Sequence, residues 1–123
     1  MKEIFTMKKS FQELEIWQES LKITCDIYET FKTTKDFAFK DQIQRAAVSV
    51  MNNIAEGFER QSEKEFIKFL YYSKGSAGEV RSLLELAFKL NYIDTNRLQD
   101  LRSTCTILSV KIYRLIKYLE NKN

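Results

Sequence analysis

The sequence predicts an all-α fold, an antiparallel up-and-down four-helix bundle forming one domain over residues 1–123. Three observations predict it. Proline is absent and glycine occurs only 3 times, so little in the chain breaks a helix or makes a tight turn. Leu98, Leu101, Cys105, Leu108, Ile112, Leu115 and Leu119 follow a 3-4-3-4-3-4 spacing, the seam of a helix packed lengthwise on its neighbours. The last two helical segments, each about 40 Å long at about 1.5 Å per residue, are joined by a link so short that the chain must fold straight back.

The first helix is expected over about residues 14–32, with Leu14, Trp17, Leu21, Tyr28 and Phe31 inward. Residues 32–39 form a connection whose Phe37 and Phe39 plug one end of the core. The second helix runs over 40–58, and Gly57 marks its C-terminal end. Its apolar seam is Ile43, Ala47, Val50 and Ile54. The third helix, 63–90, opens on Ser62-Glu63-Lys64-Glu65, a capping box, and carries the seam Phe66, Leu70, Ser73, Ala77, Val80, Leu84 and Ala87. The fourth, 95–120, is capped by Asp94.

A 123-residue chain that is 44% hydrophobic and 30% charged can bury a core without disulfide or metal staples. The two cysteines, Cys25 and Cys105, match no metal or redox spacing and read as buried free thiols of a reducing compartment. The opening MKEIFTMKKSF has no apolar run of a secretory leader, and no stretch is apolar over the roughly 20 residues that cross a bilayer. Both point to a cytoplasmic protein without a membrane partner. Net charge is +3, distributed unevenly: residues 1–61 hold 9 basic and 10 acidic side chains, residues 62–123 hold 11 and 7. That balance permits an anionic partner without demanding one.

The second helix departs from a plain amphipathic pattern. Gln42, Arg45, Ser49, Asn53 and Glu56 run as a polar stripe beside the apolar seam. The third helix offers Ser76 and Glu79, with Gly75 and Gly78 removing bulk so that helices approach closely. A buried polar stripe must find partners. Arg45 is therefore expected to pair with Glu56 or Glu79, and Asn53, Ser49 and Ser76 to complete an internal hydrogen-bonded layer. A ligand site is the other meaning such a layer can have, and a structural network the one the pattern favours.

Catalysis has little to work with. Histidine is absent, which removes the commonest acid–base group and the Glu-x-x-His pairs of a di-metal bundle. Gly75-Ser76-Ala77-Gly78 lies inside a helical pattern and is no phosphate loop. No catalytic, cofactor or metal residues are assigned. A nucleic-acid surface is suggested by Arg102, Lys111, Arg114 and Lys117 on the fourth helix, with Tyr118 among them and no acid between Leu101 and Leu119. A solvated helix end explains the same cations. Ile16, Ile23 and Ile27 beside the first seam, and Ile107, Val110 and Ile116 off the fourth, exceed what one bundle interior takes, and so are expected at a subunit interface.

The run QIQRAAVSVMNNIAEGFER, followed by EFIKFLYYSKGSAGEVRSLLELA, resembles the four-helix-bundle family of the large-subunit (23S) rRNA intervening-sequence proteins. The opening FQELEIWQESLKITCDIY fits that family's first helix, so the resemblance covers roughly residues 11–119. Members usually carry a proline in the first connection, where this chain has Lys32-Thr33-Thr34-Lys35. The resemblance implies an up-and-down bundle assembled as a homopentameric ring, with no established enzymatic activity. Some members are encoded within rRNA insertions. A related branch, the accessory variability proteins of diversity-generating retroelements, binds a reverse transcriptase and nucleic acid. The expectation is a non-enzymatic homo-oligomeric binding module that engages structured RNA or a nucleoprotein through a basic helical surface. The alternative is a protein–protein scaffold with no nucleic-acid role.

Overall fold

The computed structural model describes residues 8–122, and the opening residues on which the expectation of no leader mainly rests lie outside it. A 3₁₀ turn, Phe11–Glu13, leads into four α-helices: α1 (Glu15–Thr30), α2 (Phe37–Glu59), α3 (Glu63–Lys89) and α4 (Thr95–Asn121). They form an all-α, antiparallel up-and-down bundle in which each helix packs on the next and α4 closes onto α1. Among the described residues, no helix is long and apolar enough to cross a membrane.

The chain reversals explain why so few glycines suffice. Ser62 accepts from the Glu65 N–H and starts α3, while Gln61 takes the left-handed backbone, φ 49°, at the α2–α3 turn. After α3 the left-handed residue is Asn91, φ 61°. There the Tyr92 N–H reaches the Ala87 carbonyl at 2.8 Å and the Asn91 N–H reaches Phe88 at 3.0 Å. These paired bonds are the Schellman closure, with asparagine in the place glycine usually takes. Asp94 then caps α4 by accepting from the Arg97 N–H at 2.8 Å.

The seams expected on α2 and α3 are buried throughout. On α4 the expected seam is inward from Leu98 to Ile112 and again at Leu119, and departs only at Leu115. There Ile116 takes the core position, fully buried, and Leu115 is only half-buried. A straight helix at 3.6 residues per turn drifts off a strict 3.5 repeat, so the inward position moves by one residue.

The first helix corrects the expectation most. Its inward face is Ile16, Ser20, Ile23, Thr24 and Ile27, whereas Leu21 and Tyr28 are exposed and Trp17 is half-buried against Phe11. Ile16, Ile23, Ile27 and Ile116 are thus core residues and supply no subunit interface. Ile107 and Val110 remain on the surface. The seam on α1 was hidden because two of its positions are hydroxyls. They are satisfied inside: Ser20 Oγ donates to the Trp17 carbonyl, and Thr24 Oγ1 lies 2.7 Å from the Ser20 carbonyl and 3.2 Å from that of Ala47.

Helix α2 begins three residues earlier than expected because Asp36 caps it, accepting from the Phe39 N–H. Phe39 is buried in the first turn, in edge contact with Phe31 and Tyr92, and these rings plug the end of the core. Phe37, expected beside them, is 70% exposed. Gly57 is no terminator either: it is helical, and a Cβ there would lie 2.6 Å from Phe69 Cβ. Glycine here permits close approach of α2 and α3 near their joining turn. Gly75 and Gly78 do the opposite of what was expected, since a Cβ at either meets nothing within 4 Å. Both cysteines are free, but Cys25 is exposed and only Cys105 is buried.

Candidate functional site

The polar layer exists in reduced form. Ser49 and Ser76 share a 2.8 Å hydrogen bond between α2 and α3, and Asn53 donates to both the carbonyl and the hydroxyl of Ser49. Ser73 reinforces it, its buried hydroxyl donating to the Val50 carbonyl at 2.7 Å. The charged members do not join. Arg45 pairs with Asp41 at 2.7 Å with 79% of its side chain exposed, so neither Glu56 nor Glu79 is its partner. Glu56 meets Arg60 at 3.5 Å, and Gln42 and Glu79 are exposed. The stripe rotates out of the interface because residues at 42, 45 and 56 lie on the solvent edge of α2, while 49 and 53 sit next to its seam. The layer's hydrogen bonds run among its own side chains and to backbone carbonyls of α2.

The basic residues of α4 divide by what faces them. Lys111 Nζ is held by Glu15 at 2.6 Å and Glu19 at 2.9 Å, which ties α4 to α1. Arg102 forms a two-toothed pair with Glu85 of α3, at 2.8 and 3.0 Å. Lys117 pairs with Glu120 at 3.1 Å, and Glu120 also accepts from the Tyr71 hydroxyl at 2.8 Å. Each pair favours its charged forms: hydrogen bonds to Lys111 and Arg102 hold Glu15 and Glu85 below the ordinary carboxylate range, and Lys111 and Arg102 are raised in turn. Glu120 is lowered first by Tyr71 and then by Lys117. Arg114 is exposed and has no carboxylate at ion-pair distance among the described residues. Tyr118 is exposed, with Lys122 Nζ 6.0 Å from its ring centre.

The acids that neutralise this surface sit on other helices. The acid-free run between Leu101 and Leu119 therefore overstated how bare the cations are. Two cations missed in the sequence stand on the α3 side of the same surface. Lys74 lies over the Tyr113 ring, 5.6 Å from its centre. Among the described residues, the buried Nε of Arg81 has no hydrogen-bond partner and no carboxylate pairs with its side chain. The signal was available: Lys74 and Arg81 are spaced by 7, on the edge of α3 adjoining its seam, where α4 must pack. Among the described residues no group of three or more Cys, Asp and Glu stands together as a metal site.

The family model described as 23S rRNA-intervening sequence protein matches residues 12–121, the whole bundle. The chain belongs to this family. A solved structure of a protein of unknown function from the S23 ribosomal protein family, from Bacteroides thetaiotaomicron VPI-5482, superimposes with a TM-score of 0.78 at 26% sequence identity. The alignment covers 83% of this chain and 98% of that one. No curated protein matches. The match of a 23S rRNA-intervening sequence protein family model to residues 12–121 agrees with the resemblance carried by the blocks in α2 and α3.

Proposed function

We propose that this protein is a non-enzymatic, homo-oligomeric binding module, built as a ring of five, that engages structured RNA or a nucleoprotein in the cytoplasm. The observation that carries the reading is the α3–α4 surface, where Lys74, Arg81 and Arg114 have no carboxylate partner among the described residues and Tyr113 stands exposed among them. Cations contact phosphate and exposed rings stack on unpaired bases. Membership of a family named for an insertion in rRNA points the same way. Exposed Ile107 and Val110, with Tyr71 and Tyr72 on α3, support contact between copies. The free, exposed Cys25 thiol suits a reducing compartment. The absence of histidine from the sequence supports a role other than catalysis.

One observation favours a protein-only scaffold instead: Arg102, Lys111 and Lys117 already hold carboxylates. A salt series separates the two. RNA affinity measured by anisotropy should be micromolar or tighter at low salt and fall steeply as salt rises, because released counterions drive the binding. No binding at low salt removes the RNA reading. Light scattering on a sizing column tests assembly: a particle of about five 14.6 kDa chains is expected, and a monomer at micromolar concentration sinks the ring. Ile107→Asp should shift the particle toward monomer while leaving helicity unchanged.

A further inference from the structure

The groove between α3 and α4 contains an arginine that the fold does not use. Arg81 points from α3 toward α4, next to Cys105, whose thiol is pushed up to about 11 by burial while the Arg81 charge opposes that rise. Its Nε–H is shielded from solvent without an acceptor among the described residues. Neighbouring charges are matched: one turn further along α3, Glu85 is taken by both arms of Arg102. Among the described residues the Arg81 Nε–H is left without an acceptor.

The surroundings of Arg81 fit an incoming anion. A cavity of about 290 Å³ is lined by Lys74, Arg81, Thr106, Ser109, Val110 and Tyr113. A second depression shares Arg81 and Thr106 with it and is lined also by Gly78, Ser82, Glu85 and Arg102, so the one carboxylate at that end is the one Arg102 already holds. Two cations and three hydroxyl-bearing side chains therefore surround one space, with no carboxylate among the 290 Å³ cavity's lining residues. Gly78, on the wall of the second depression, presents no side chain there, and a Cβ would meet nothing within 4 Å. Helical glycine is disfavoured against alanine, so the open wall is not a helix-forming choice. A tetrahedral group with several acceptor oxygens matches a guanidinium, an ammonium and hydroxyl donors better than a single carbonyl does.

We propose that this groove receives one backbone phosphate in an unpaired stretch of structured RNA, with Arg81 as its main ligand and Lys74 and the Thr106 and Ser109 hydroxyls completing the contact. The inference rests on the RNA-binding reading above and places it at a defined atom. Tyr113 flanks the position with Lys74 and Lys117 Nζ at 5.6 and 5.3 Å from its ring centre, so the phosphate would enter a cationic rim.

The test uses the full chain labelled with nitrogen-15 and follows the Arg81 Nε–Hε resonance, assigned by its loss in Arg81→Lys. Inorganic phosphate and a 5′-hydroxyl RNA oligomer are titrated separately. Anisotropy is measured in parallel for the wild type, Arg81→Gln and Arg45→Gln, the last an exposed arginine on α2 outside the groove. Expected results are movement of the resonance with both additions, a roughly tenfold loss of RNA affinity in Arg81→Gln, and a salt slope reduced by about 1. Arg45→Gln should stay within about twofold of wild type, as expected of a residue without a phosphate contact. RNA binding without movement of the resonance, and with Arg81→Gln unimpaired, overturns the inference and leaves the RNA reading standing. Movement with phosphate but no RNA binding overturns RNA as the source of the phosphate, and with it the reading above. Should Arg81→Gln fail to fold, the wild-type titrations decide the matter alone.

Discussion

At the scale of single residues, the three glycines separate two meanings that the sequence presents alike. Gly57 is required by space. Its missing Cβ would lie 2.6 Å from Phe69 Cβ and 3.1 Å from Phe66 Cδ1, and Phe69 Cβ is anchored to the α3 backbone. Gly57→Ala gains about 1 kcal/mol of helix propensity but forces α2 and α3 apart, and overpacking of this kind typically costs about 1–3 kcal/mol. A net fall in the urea midpoint is expected. Gly75 is exposed on α3 with open space above it, so Gly75→Ala should stabilise by about 0.5–1 kcal/mol in the same measurement. An unchanged or raised midpoint for Gly57→Ala would show that the helices yield easily at that crossing.

At the scale of elements, α4 tests whether burial or mere hydrophobicity decides a residue's place. Ile116 is fully buried and Ile107 is 51% exposed, although both lie off the heptad seam. Ile116→Ala should cost about 2–5 kcal/mol in chemical denaturation. Ile107→Lys should leave monomer stability within about 0.5 kcal/mol, and equal losses in the two variants would contradict this placement. What could be read in advance follows the same division. Seams made of apolar residues at regular spacing were legible: Phe66 to Ala87 on α3 and Leu98 to Ile112 on α4 are all inward. Helix α1 was misread because Ser20 and Thr24 interrupt the apolar spacing, and their hydroxyls are satisfied by carbonyls in the turn before and on α2. The Ser49–Asn53–Ser76 layer was legible because small hydroxyls and an amide beside a seam have few other partners. Arg45 was not, because its reach allows a local partner on its own helix, Asp41, which keeps the charge in water. The pairing of Lys111 with Glu15 and Glu19 joins residues more than 90 positions apart, and nothing in the local spacing of α4 announces it.

At the scale of the whole molecule, carboxylates tie α4 to both neighbours and Asp36 ties the α1–α2 connection to the α3–α4 link through the Tyr92 hydroxyl at 2.7 Å. Asp36 is held below its ordinary 3.8 first by Tyr92 and then by the Phe39 N–H; Glu15, Glu85 and Glu120 are held below 4.5 by their donors. A carboxylate with a lowered folded value binds fewer protons in the native state than in the unfolded chain. Its contribution is present above the unfolded value and is lost as pH falls through the folded one. Stability should therefore be level from neutral pH down to about one unit above the unfolded values, then decline through the carboxylate range. The alkaline side has the opposite sign: Tyr92 and Tyr71 are raised above 10.0 by Asp36 and Glu120, and Lys111 above 10.5, so what they add is lost as pH climbs through those raised values. These pairs are solvent-exposed, so each contributes modestly and the acid limb should be shallow rather than a sharp collapse. Urea midpoints at stepped pH check the shape. Lys111→Met sharpens the test, because it removes the first cause of the Glu15 shift and should flatten the acid limb while lowering the neutral plateau only slightly. An acid limb that keeps its slope in Lys111→Met would mean that the α1–α4 closure does not depend on this lysine.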